Sequence, residues 1–269
     1  SLGVLALSSF TWPASGMALE LLGGSSTSSI TPAQEMRQGT TQFQQGAFVQ
    51  AATHWMNAAR GYEETGQIKE QSQALINVAH ALQQEGQIRR AQGTLQAALK
   101  LSEQAGERGL TATILAQLGN TFHVFGKDEP ATEHLTKALT LAREEKKPVL
   151  VAGILNDLGN ALTARRQFAE AIDVYAESRV LANETKQQAL AATAQINGAM
   201  ALLQNQQLGE AHRHLDQAWS DVRSLGDGHA KTAGLLNIGL GYQELFAAST
   251  GKSGTAAKRD AGKGRATEA

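Results

Sequence analysis

The chain has 269 residues, 24 Lys and Arg against 25 Asp and Glu, and no cysteine. A net charge of −1 supplies no global field toward nucleic acid, and zero cysteines leave these residues without disulfides or thiol catalysis. Aromatic residues make up 5% and charged residues 18%, with Ala, Gln and Leu abundant, the mixture expected of helices packed through small residues.

The first element is a short apolar stretch, Leu2 to Phe10, followed by Trp12, Pro13, Ala14 and the small-x-small sequence Gly16-Met17-Ala18. Residues 1–18 read as the apolar region and cleavage end of a secretory signal peptide, too short to span a bilayer. The mature chain then begins near Leu19, and the expected destination is the periplasm or outside. If the stretch instead caps the first repeat, the location is cytoplasmic. Residues 19–30 form a Gly/Ser/Thr leader before Pro32 opens the first helix.

From residue 31 to residue 250 the chain repeats itself every 40 residues. Gly39, Ala79, Gly119, Gly159, Ala199 and Gly239 stand one period apart. So do Ala51, Ala91, Ala131, Ala171 and Ala211, and then Trp55, Leu95, Leu135, Tyr175 and Leu215. Ala58, Ala98, Ala138, Ser178 and Ala218 form a fourth series. Self-similarity of this length predicts a stack in which each unit buries its apolar face only against its neighbours. Within a unit the apolar spacing predicts two helices: Leu115, Leu118, Gly119 and Phe122 on one, and Ala131, Leu135, Ala138 and Leu139 on the other. Gly46, Gly86 and Gly126 fall between the paired helices, where a left-handed residue ends the first one. Arg166 and Gln206 take that place in later units, so those turns are expected to be made in another way. Trp55, Trp219, Tyr175 and Tyr242 sit on repeat-defining positions and are expected in the core.

The sixth unit has a first helix, Lys231 to Phe246, and no second. Leu236, Leu240, Leu245 and Phe246 make that helix apolar where a solenoid normally turns a polar face outward. Either a partner, another copy or a further domain covers this end or the helix is frayed, and the expectation is an interaction surface. Residues 251–269 carry five basic and two acidic residues with no apolar periodicity, and read as a disordered basic tail.

The pattern Leu-Gly, then a large residue three later, then Ala, a large residue four later and Ala or Ser three after that resembles the tetratricopeptide repeat. Leu158, Gly159, Leu162, Ala171, Tyr175 and Ser178 carry it, as do Leu118, Gly119, Phe122, Ala131, Leu135 and Ala138. The resemblance implies an all-α, right-handed α-solenoid of antiparallel helix pairs, about five and a half repeats long. Two features depart from the family. The period is 40 rather than about 34 residues, and the proline that normally ends the second helix is replaced by Glu63, Glu103, Arg143, Asn183 and Arg223. Without that breaker the second helix can run on for most of another turn. Period alone would also suit HEAT-type repeats, but the Gly and Ala registers favour the tetratricopeptide reading.

Nothing in the sequence points to catalysis, to a cofactor or to a metal. His212 and His214 lie two apart on a helix and face different ways, a poor metal pair. The acid pairs Glu63-Glu64 and Glu144-Glu145 lie at helix ends as solvated charge. The candidate site is a polar ladder: Asn77, Gln117, Asp157, Asn197 and Asn237 stand two places before the Gly/Ala register, and only Arg37 interrupts it. The resemblance implies that this position faces the concave groove, where an amide grips the backbone of a bound peptide. An amide has both a donor and an acceptor, so it can pair with a peptide group without reading the adjacent side chain. His80, Asn120 and Asn160, with Asn156 one turn earlier, would widen the floor, and Phe125 is a candidate exposed anchor. The other reading of the ladder is structural: amides that bond to the next helix and hold the repeats in register.

The expected function is a non-catalytic scaffold that holds a peptide or partner protein, with no nucleic-acid or integral-membrane role. Two alternatives stand beside it. One is the regulatory N-terminal region of a longer enzyme such as a caspase-like protease. The other is a structural subunit of an assembly, self-associating through the uncapped C-terminal helix.

Overall fold

The computed structural model describes residues 30–250. The signal-peptide reading of 1–18, the leader up to residue 29 and the tail 251–269 lie outside the described residues.

Helices follow one another with short turns from end to end. They are α1 (Pro32–Gln44), α2 (Phe48–Glu64), α3 (Ile68–Gln84), α4 (Ile88–Gln104), α5 (Arg108–Val124) and α6 (Asp128–Glu144). Next come α7 (Pro148–Ala164), α8 (Phe168–Glu184), α9 (Gln188–Gln204), α10 (Leu208–Ser224) and α11 (His229–Ser249). No strand occurs among the described residues. Thr31 starts the array with a capping box: its hydroxyl accepts from the Gln34 amide at 3.3 Å while Gln34 Oε1 accepts from the Thr31 amide at 2.7 Å. Pro32 fills the first helical position, where a missing N–H does no harm.

The helices from α2 to α10 are all 17 residues long, so a 40-residue period holds two helices and two three-residue turns. Glu63, Glu103, Arg143, Asn183 and Arg223 lie in the last turn of the second helices, which run through the place where a proline would stop them. Each turn from α1 to α10 is tied by paired backbone bonds. The Gln87 amide donates to Leu82 O at 2.8 Å and the Gly86 amide to Gln83 O at 2.9 Å, a Schellman closure around a left-handed residue.

The turns at Arg166 and Gln206 correct the sequence expectation. They use the same closure as the glycine turns, with φ of 62° and 64° on non-glycine residues. The Gln167 amide donates to Leu162 O and the Gln207 amide to Leu202 O, both at 2.9 Å. Lys146 and Lys186 do the same between units. Two backbone bonds and the packed helices on either side hold these residues in a conformation that glycine would adopt more cheaply.

Packing follows the registers. A Cβ on Gly39 would lie 2.5 Å from the Trp55 ring, one on Gly119 2.6 Å from Leu135, and one on Gly159 2.5 Å from the Tyr175 ring. The small residue is thus a notch on the first helix, and the large residue of the second helix is the knob that fills it. The one Ser in the Ala series is accounted for: the Ser178 hydroxyl donates to Ala152 O at 2.8 Å, which satisfies a fully buried polar group. Trp55 and Tyr175 are buried as expected and Tyr242 is half-buried, but Trp219 is 44% exposed and does not join the core. Its equivalent Leu139 is buried by the next unit, and no further complete unit follows α10 among the described residues.

First helices of successive units touch one another from α3 to α11, and no comparable contact joins successive second helices. The stack is therefore tighter on the first-helix side, which makes the first helices the inner, concave wall. The ladder residues lie on that wall.

Candidate binding floor on the inner helices

The inner wall forms by the same local logic as the fold. Positions that pack on the paired second helix are small or aliphatic, and the remaining face of α3, α5, α7, α9 and α11 carries the polar ladder. The ladder residues do not all have the same surroundings.

Asn197 on α9 reaches across to α7. Its Nδ2 donates to Asn156 Oδ1 at 3.0 Å and to Asn160 Oδ1 at 3.2 Å. The Tyr175 hydroxyl donates to the same Asn160 oxygen at 2.7 Å. Burial pushes the Tyr175 pKa up to about 12, so its hydroxyl stays protonated and remains a donor. These four side chains tie two units together, as the structural reading of the ladder anticipates. Asn160, Asn197 and Tyr175 also border a hollow of about 560 Å³, together with His123, Arg166 and Phe168, among others. The same amides therefore face both the neighbouring repeat and open space.

Gln117 and Asp157 belong to a second hollow of about 870 Å³ between the N-terminal halves of α5 and α7. Its apolar floor includes Leu110, Ala116 and Ile154, and its edge carries Lys69, Arg108, Lys146 and Lys147 beside Glu107 and Glu145. Arg108 is engaged by Glu144 and by Glu145, the latter at 3.4 Å. Lys69, Lys146 and Lys147 make no ion pair among the described residues, which leaves this edge cationic. Asp157 is half-buried in the hollow, and desolvation raises its pKa to about 6, against the relief that Asn156 and His123 provide. Asp157 and Asn160 are three residues apart on α7 and so are neighbours on its surface, which brings the two hollows side by side.

The remaining candidates are more scattered. Asn77 accepts from Gln73 of its own helix at 3.4 Å, and Asn237 is exposed on α11. His80 stacks on the Phe43 ring at 4.7 Å between centroids. Asn120 is half-buried on α5, and Phe125 is 43% exposed at the C-cap of that helix, facing solvent at the turn. Among the described residues no group of three or more His, Asp or Glu could hold a metal ion, and no helix is long and apolar enough to cross a membrane.

Sequence reasoning did not find the larger hollow. The signal was present in the repeat: the positions Gln73, Thr113, Gly153, Thr193 and Ala233 are equivalent, and α7 alone has glycine there. A Cβ built on Gly153 meets nothing within 4 Å, so the missing side chain leaves open space. The Lys146-Lys147 pair lies in a turn, and only the fold brings Lys69 and Arg108 beside it.

With this geometry described, comparison with known proteins agrees on the class. Two sequence models of the tetratricopeptide repeat match residues 70–144 and 151–185, the stretch from α3 to α8. Tetratricopeptide repeats run through this part of the chain. Solved structures with this fold include BtubC (BKLC) from P. vanneervenii, with a TM-score of 0.65 at 18% identity over 73% of this chain and 83% of that one. A Rap protein complexed with competence and sporulation factor has a TM-score of 0.62 at 18% identity over 71% of this chain. This chain spans 54% of that Rap protein. A putative kinesin light chain from Podospora anserina with nearly identical TPR-like repeats has a TM-score of 0.58 at 16% identity over 70% of this chain and 93% of that one. At such identities the likeness concerns the fold alone. Among curated proteins none matches the chain in sequence. The fold is one of protein-interaction scaffolds.

Proposed function

We propose that the chain is a non-catalytic scaffold whose inner wall holds an extended peptide segment of a partner protein across α5, α7 and α9. The observation that carries this reading is the pair of adjoining hollows on the ladder, one opened by Gly153 and the other bordered by Asn160 and Asn197. Amides there can pair with a peptide backbone, while Leu110, Ala116 and Ile154 offer an apolar seat for a side chain. The cationic edge at Lys69, Lys146 and Lys147 favours an acidic residue at that end of the ligand. A Rap protein of the same fold is complexed with competence and sporulation factor, which agrees with binding by such an array. Export to the periplasm or beyond is part of the proposal and rests on the apolar sequence Leu2 to Ala18 alone.

The test is selection of binders from a random peptide library on the full chain, followed by affinity measurement on a Gly153→Leu variant. The substitution fills the larger hollow, and the absence of any atom within 4 Å of its Cβ leaves the fold room to accept it. The expected result is enrichment of peptides with an acidic end whose affinity falls at least tenfold on the variant. Selected peptides that bind both proteins equally would overturn the reading.

A further inference from the structure

We propose that the C-terminal face of the array, made by α11 and the adjoining edge of α10, is a docking site for an amphipathic helix of another protein. The helix it fits carries a small residue, a large apolar residue four places later and a small residue three places after that.

The specification comes from the molecule's own junctions. In the preceding units a notch on the first helix receives a knob sixteen residues later: Gly39 with Trp55, Gly119 with Leu135, Gly159 with Tyr175. Ala79 with Leu95 and Ala199 with Leu215 stand at the same separation. Gly239 is the sixth notch, and among the described residues nothing fills it. A Cβ there meets nothing within 4 Å, and the residue is exposed. α11 otherwise packs as its predecessors do, with Gly234 against Val222, Gly241 against Leu215, and Ile238 buried. The helix is thus seated correctly on its inner side, with the junction on its outer side unmade.

The surroundings of the notch repeat the same contrast. Ile76, Ala116, Asn156 and Ile196 are equivalent and all buried, whereas Leu236, the next in the series, is 65% exposed. Leu240 and Phe246 of α11 and Trp219 of α10 are exposed as well. Between Lys231 and Glu244 no residue of α11 is charged at neutral pH, so the face offers an approaching helix little charge to desolvate. This surface continues the interface that joins each unit to the next, which is why its partner should have the second-helix pattern. The sequence that directly follows α11 does not carry this pattern. At the positions of the small, large and small residues stand Gly251, Thr255 and Lys258, a polar residue in place of the knob and a charge in place of the second small residue.

The probe is a labelled synthetic peptide of residues 126–146, which contains α6 with Ala131, Leu135 and Ala138, titrated into the full chain by fluorescence anisotropy. Saturable binding is expected, at least tenfold weaker for the peptide with Leu135→Lys. In the protein, Gly239→Leu fills the notch and should weaken binding at least tenfold. Circular dichroism should remain unchanged, because leucine in an exposed helix interior is a better helix former than glycine. Absence of saturable binding overturns the proposal, and so does binding that Gly239→Leu leaves intact. Light scattering provides the remaining arm: a dimer that Gly239→Leu dissolves and the peptide cannot displace would assign the face to a second copy instead. The Gly153→Leu variant should bind this peptide normally, so failure here leaves the inner-wall reading untouched, and the reverse.

Discussion

Two glycines on α7 should respond to alanine in opposite directions. Gly159 faces the Tyr175 ring, and an added Cβ would lie 2.5, 2.6 and 2.8 Å from three ring carbons. The ring is poorly placed to move aside, since it is buried and its hydroxyl is bonded to Asn160 at 2.7 Å. Overpacking of this kind costs about 1–3 kcal/mol, against about 1 kcal/mol that alanine returns in helix propensity. We expect Gly159→Ala to destabilise the protein by about 1–2 kcal/mol. Gly153→Ala, six residues earlier with no atom within 4 Å of the new Cβ, should stabilise it by about 1 kcal/mol. Urea unfolding followed by circular dichroism compares the two directly, with the transition slope checked because repeat arrays can lose two-state behaviour. Adding Tyr175→Leu to Gly159→Ala should recover part of the loss, since Ala with Leu is the pairing at Ala79 with Leu95 and at Ala199 with Leu215. If Gly159→Ala proves as stable as Gly153→Ala, the knob-and-notch account of the junctions is wrong.

Two further predictions concern strain and pH. Lys186→Gly and Gln206→Gly should each stabilise the array by about 1 kcal/mol, because φ of 60° and 64° disfavours any side chain with a Cβ; unchanged or lowered urea midpoints would refute this. Asp157 has a folded pKa of about 6, above its ordinary value of 3.8, so its folded form holds a proton that the unfolded form releases. The stability it contributes is present below about pH 4 and is lost as pH rises through about 6. Asp157→Asn should remove that dependence and leave the protein more stable above pH 6 by about 2 kcal/mol. That figure takes about 1.4 kcal/mol for each pH unit separating the folded and unfolded pKa values, less an allowance for solvent screening in the open hollow. A carboxyl resonance of Asp157 titrating near its ordinary value in NMR would show that the hollow does not desolvate it.

The repeat, its two helices and the notch-and-knob positions are legible in the sequence, because each depends on contacts within a unit or with its nearest neighbour. A strict 40-residue register states those contacts five times over. The turn glycines are legible too, where they occur. Arg166 and Gln206 mislead because the propensity of one residue says nothing of the two backbone bonds that hold the turn. Trp219 misleads for a related reason. Its register predicts burial, but burial at that position depends on a following unit.

The sequence by itself determined the architecture, since periodicity decides which face of each helix must be covered and small residues decide how closely the helices approach. Only the tertiary structure decided which ladder members engage one another and which line open space. Asn197 reaches Asn156 and Asn160 across units, whereas Gln117 and Asp157 border a hollow into which Gly153 contributes no side chain. The reason is geometric: equivalent positions share a backbone direction, but the length of a side chain and of its neighbour on the next helix determines whether they meet. The empty notch at Gly239 is the same lesson at the end of the array, where a position identical in register to five others differs only in what packs against it.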